Sequence, residues 1–174
     1  MLAYVFWHRP LGSAAREEYE RRLIEFHEAL RGALVSSAAF SLERLPFADG
    51  KGYEDWYLVE NWTALGELSD VALRGIRERA HDAVARLASD GWGGVYGLAR
   101  GIPVGPDGVR WVNKREGESY ESFLKRVRVE TVWQRQLVLG PAPEFCLGIG
   151  HSEGRLRVWP PRSAGGGQEG ELID

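Results

Sequence analysis

Residues 53–91 constrain this chain more than any other stretch. YEDWYLVENW places Trp56 and Leu58 on one face of an extended segment and Asp55, Tyr57 and Val59 on the other. Large apolar side chains on both faces require a strand covered on both sides. The run that follows, TALGELSDVALRGIRERAHDAVARLASDG, keeps Leu65, Leu68, Ala72, Ile76, Ala80, Val84 and Leu87 on one helical stripe, which can supply one cover. Thr63 is placed to cap this helix. Asp70 and Gly75 predict a break near its middle, and Gly91 ends it.

The remaining segments supply neighbours for that strand. LAYVFWHR at 2–9 reads as a strand with Tyr4, Phe6 and His8 on one face and Ala3, Val5 and Trp7 on the other. Pro10 to Gly12 end it and Ser13 is a candidate N-cap. Glu17 and Glu18 suit the positive end of a helix whose stripe is Tyr19, Leu23, Phe26 and Leu30. Residues 37–45 predict a half-exposed strand, PFADGKG a tight connection, and VYGLAR a short fourth strand. The order is β-α-β-β-α-β, the ferredoxin-like pattern, over residues 1–101.

After the turn IPVGPDG the pattern restarts. VRWVNKR reads as a strand, SYESFLKRV as a short helix, VETVWQRQLVL and FCLGIG as strands, and RLRVWP as a last extended piece. The expected fold class is therefore α+β: a ferredoxin-like half, then a second, incomplete β-α-β-β half over 109–160, with antiparallel sheets. Residues 161–174, SAGGGQEGELID with its flanks, have nothing to bury and predict a flexible tail.

A net charge of -3 argues against nucleic acid or an anionic membrane as partner, since either needs a basic surface. The single Cys146 lies in an apolar run and reads as a buried thiol in a reducing compartment. MLAYVFWHRP lacks the basic region and cleavage site of a signal peptide, and no apolar run reaches the roughly 20 residues of a membrane helix. The expected location is the cytoplasm.

The segments YVFWHRP, FHEAL, YEDWYLVENWTALGEL, HDAVA, GVYGLAR and VLGPAPEFCL, spread over residues 4–147, resemble uncharacterised bacterial proteins of the dimeric α/β-barrel superfamily. The resemblance implies sheets packed face to face as an α/β barrel, with helices on the outer faces and a ligand between the sheets. Because a second half is present, the barrel can close within one chain or between two. An incomplete second half leaves an edge or face for another subunit, so a homodimer is expected.

His8 is the candidate catalytic residue, because an imidazole at a strand end can exchange protons near neutral pH. Helices pack closely on small and branched side chains, which assigns the Val5 face to the helices and the Tyr4 face to the barrel interior. Tyr4, Phe6 and Tyr57 then wall a ligand site. Gln134, Arg135 and Gln136 put polar groups into a covered strand, where at least one needs a partner or a ligand. Asn113, with Lys114, stands where His8 and Arg9 stand in the first half. His27 and His81 read as edge residues of the helices, and His151 as a loop residue.

No His, Cys or carboxylate cluster has zinc spacing, and no phosphate loop, dinucleotide fingerprint or nucleophile elbow is present. Neither a metal nor a cofactor is expected. The function expected is binding or conversion of a small, partly apolar molecule between two sheets. Two alternatives stand beside it: a non-catalytic oligomeric interaction protein, and a haem protein with His8 or His81 on the iron.

Overall fold

The computed structural model describes residues 1–103 and 107–161, so the expected tail lies, apart from Pro161, outside the described residues. Its elements are β1 (Leu2–Pro10), α1 (Arg16–Ala29), β2 (Ser36–Leu42), β3 (Gly52–Val59), α2 (Trp62–Ala72) and α3 (Gly75–Ala85). They continue with β4 (Ala88–Arg100), β5 (Gly108–Val112), α4 (Tyr120–Arg126), β6 (Val132–Leu139), β7 (Phe145–Ile149) and β8 (Arg155–Trp159). The fold is α+β, with one curled, antiparallel, eight-stranded sheet that forms a half-barrel.

The strand order is β5-β7-β6-β4-β1-β3-β2-β8. The order β5-β7-β6 repeats the permutation β1-β3-β2, so the late segment reuses the early connectivity. Two sheets packed face to face are not formed. Instead β6 pairs with β4 and β8 with β2, because joining edges satisfies backbone groups that two separate sheets would leave open.

The curl is visible in which rings meet. Trp56 on β3 touches Trp133 on β6 at 5.9 Å, and Trp7 on β1 touches Trp111 on β5 at 4.9 Å, although these strands are not neighbours. This face is therefore the inner one. It holds Ala3, Val5, Trp7, Trp56, Tyr96 and Trp133, all wholly buried. The opposite, outer face carries the helices: Tyr19, Leu23 and Phe26 of α1, Leu68 of α2 and Val84 of α3 pack with Tyr57 and Val59.

Two charged side chains, Glu54 and Arg155, are buried at the aromatic interior. Glu54 is fully buried and accepts from the indoles of Trp7 (2.9 Å) and Trp111 (2.7 Å) on Oε2. Its Oε1 accepts from the Trp56 indole and the Arg155 guanidinium, each at 2.7 Å. Four donors from β1, β3, β5 and β8 thus share one carboxylate. The ends of the sheet approach each other nearby. Arg155 donates to the Asp107 carbonyl (2.5 Å), Arg157 to the Asp107 carboxylate (2.7 Å), and Ser152 Oγ bonds both the N–H and the C=O of Val109 (2.6 and 2.7 Å).

Local signals explain most boundaries. The α1 stripe is buried as its spacing requires, and the α2–α3 break falls at Leu73–Arg74, before Gly75 at φ +62°. The caps differ from expectation. The N-cap of α1 is Ala15, with no side-chain cap, not Ser13, and Asn61 rather than Thr63 accepts from the Ala64 N–H at 3.0 Å. The α3 helix ends at Ala85, not at Gly91, and β4 begins before VYGLAR, taking in Ala88–Gly94. Its Gly91 and Gly93 pair with β1, and a Cβ at either would strike the ring of Phe6 or Tyr4. No described helix is long and apolar enough to cross a membrane.

Candidate functional site

Alternation on β1 and β3 puts Tyr4, Phe6 and His8 beside Asp55 and Tyr57 on one face. That face is the helix-covered one, which corrects the expectation that His8 lines the interior of a barrel. The size argument fails because the curl brings the large indoles Trp7 and Trp56 together from distant strands. The helix side gains its room from Gly91 and Gly93, whose missing side chains leave space for flat rings.

Between this face and α1–α3 lies a cavity of about 730 Å³. Its floor is Tyr4, Phe6, His8, Asp55 and Tyr57; Leu65, Leu68, Ala72 and Val84 form much of the helical wall. The floor rings lie nearly parallel: Tyr57 to Tyr4 at 6.0 Å and 23°, Tyr4 to Phe6 at 6.2 Å and 30°, Phe6 to His8 at 5.4 Å and 20°.

At one end of the floor is a hydrogen-bonded chain. Asp55 Oδ2 is 3.0 Å from His8 Nε2 and accepts from the Tyr57 hydroxyl at 3.0 Å. His8 Nδ1 is 2.5 Å from the Tyr19 hydroxyl. His8, Tyr19 and Asp55 are all buried, at 3, 0 and 2% exposure. Burial alone would raise the Asp55 carboxyl, but the positive charge that His8 and His27 can carry, together with the hydrogen bond from His8, outweighs it and holds the group well below the usual carboxylate range. Burial, and then the negative charge of Asp55, push the Tyr19 and Tyr57 phenols up.

The hydrogen bonds fix where the protons lie when His8 is neutral. An ionised Asp55 only accepts, so His8 carries its proton on Nε2. A neutral His8 then presents Nδ1 as an acceptor, and the neutral phenol of Tyr19 donates to it. Tyr19, His8 and Asp55 thus form a continuous hydrogen-bonded chain in which a carboxylate orients the imidazole.

The other expected ligand residues are elsewhere. Gln136 is exposed, Gln134 and Arg135 are half-buried, and Arg135 donates to the Ala142 carbonyl. Asn113 is exposed and accepts from the Glu144 N–H at 2.9 Å. None of the four lines the cavity; among the described side chains of β6, Leu137 reaches it. His27 is fully buried behind Asp55, and His81 lies on the cavity wall, its ring 5.5 Å from Phe26.

As an iron ligand His8 does not fit, because both ring nitrogens are already engaged. Among the described residues no group of three or more His, Cys, Asp or Glu could hold a metal ion. Tyr19 and Glu54 escape sequence reasoning: Tyr19 reads as a stripe residue, and Glu54 is hidden by its neighbour. Comparison of the chain with family models, with curated proteins and with solved structures returned no match.

Proposed function

We propose that this protein binds a small, planar, uncharged and largely apolar molecule between the outer sheet face and helices α1–α3, and moves a proton on it. The observation that carries this reading is the cavity of about 730 Å³ with the Tyr19–His8–Asp55 chain at its end. Its volume falls in the range of small-molecule sites, and apolar walls with a few converging polar groups are their usual composition. The parallel floor rings favour a flat ligand. Among the described lining residues there is no Lys or Arg, so a carboxylate or phosphate would find no fixed cation.

In the proposed reaction, Tyr19 takes a proton from the ligand as its own proton passes to His8 Nδ1. Asp55 stabilises the imidazolium that results, and the reverse transfer returns the proton. The chain's own residues perform each transfer. The order β4-β1-β3-β2, with α1 between β1 and β2, supports reading the first half as ferredoxin-like, in keeping with the superfamily the sequence resembles.

A neutral planar probe whose emission depends on its protonation, 2-naphthol, tests both claims. Saturable binding is expected, weakened about tenfold (1.4 kcal/mol) or more by Leu68→Trp, which fills the cavity. Naphtholate-type emission of the bound probe should disappear in His8→Ala and Tyr19→Phe. Binding that ignores Leu68→Trp would sink the cavity reading and favour the non-catalytic interaction protein.

A further inference from the structure

We propose that His27 is a positioning residue of the proton relay: its Nε2–H is directed at Asp55 Oδ1 and thereby fixes the tautomer of His8. The inference rests on the relay reading above but concerns a residue outside the cavity lining.

His27 is fully buried on α1, and its ring lies flat against Tyr57 at 5.1 Å and 7°. Its Nε2 is 3.5 Å from Asp55 Oδ1. Neither atom makes a hydrogen bond among the described residues, and neither does His27 Nδ1. Buried polar atoms are rarely left in this state, and here two of them face each other. If His27 Nε2 were unprotonated, its lone pair would face a carboxylate oxygen 3.5 Å away in a buried setting. A proton on Nε2 turns that repulsion into attraction, and a shift of a few tenths of an ångström completes the bond.

The division of labour on Asp55 follows. Oδ2 serves His8 and Tyr57, while Oδ1 has only His27. Without His27, Oδ1 has no donor, so the carboxylate loses the contact that holds its rotation. His8 Nε2–H then loses its fixed acceptor, and the Nδ1–H tautomer becomes accessible. That tautomer points a proton at Tyr19 and blocks transfer from the phenol. Such control of an imidazole by the partner of its other nitrogen is general in relays of this kind.

The test is ¹⁵N spectroscopy of the imidazoles in the full, ligand-free chain, at a pH alkaline enough to neutralise the rings. His8 and His27 should each carry the proton on Nε2. In His27→Leu the single His8 tautomer should be lost. In His27→Gln, whose amide nitrogen can stand near the imidazole Nε2, it should return. A wild-type His27 protonated on Nδ1 overturns the proposal, as does an unchanged His8 in folded His27→Leu. Should circular dichroism show His27→Leu unfolded, the wild-type and His27→Gln spectra decide: mixed His8 tautomers in His27→Gln overturn it. No ligand enters the measurement, so failure of the 2-naphthol experiment leaves this result readable.

Discussion

Glu54 and Asp55 are consecutive carboxylates in the middle of one strand, both buried, yet their surroundings are opposite. Glu54 faces the interior and has four donors, three indoles and a guanidinium, with no hydrogen-bonding oxygen left over. Asp55 faces the helices, shares one oxygen between an imidazole and a phenol, and leaves the other without a hydrogen bond beside His27. A fully satisfied carboxylate fixes positions. A partly satisfied one beside a cavity has protonation states and partners to exchange. The contrast separates a structural acid from a chemical one more clearly than burial does, since burial is the same.

The largest effect expected from this contrast is on the Glu54 side. Glu54→Leu removes the one acceptor that three indoles and the Arg155 guanidinium share, and should cost about 3–5 kcal/mol in urea unfolding. Asp55→Asn keeps the shape and should cost less, about 1–3 kcal/mol. The reverse ranking would break the comparison.

Acid sharpens it. The folded pKa of Asp55 lies below its unfolded value, near 3.9, so its ionised form contributes stability that is present above that value. The contribution is lost as pH falls from about 4 toward the folded pKa. Thermal midpoints measured below pH 5 should therefore fall more steeply for the wild type than for Asp55→Asn. Parallel curves would mean that His8 and His27 do not hold the carboxyl down.

The smallest effect concerns space. In Gly91→Ala the new Cβ falls on the Phe6 ring and pushes it into the cavity. Stability should change by about 1 kcal/mol, while affinity for a flat probe drops severalfold. An unchanged affinity would show that the ring floor is not the binding surface.

Much of the fold is legible in the residues, and the reasons for the rest are specific. The α1 stripe, the break before Gly75 and the late strand RLRVWP follow from spacing and from glycine, whereas Ile76, expected on the second stripe, is exposed. The faces of β1 do not. With Tyr4 and Phe6 opposing Val5 and Trp7, polarity gives no direction, and only the curl, a property of the whole sheet, decides which side is interior. His8 can be singled out as a strand-end imidazole, but its partners are 11 and 47 residues away and depend on register and on the seating of α1. Glu54 had a local signal. Two adjacent acids in the middle of a doubly apolar strand must send one to each face, so each needs its own partners. In WQRQ the opposite holds: that strand is wet enough to let Gln136 face solvent, and its polarity needs no ligand.

The meeting of β5 and β8 has a mechanical consequence. Every other junction in the sheet is a ladder that must be torn bond by bond, whereas this one is fastened by side chains at Asp107, Ser152 and Glu54. The sheet is thus a cuff with a clasp. Forces that separate its edges meet least resistance there, and while the clasp holds, Trp7 and Trp56 stay sealed from water.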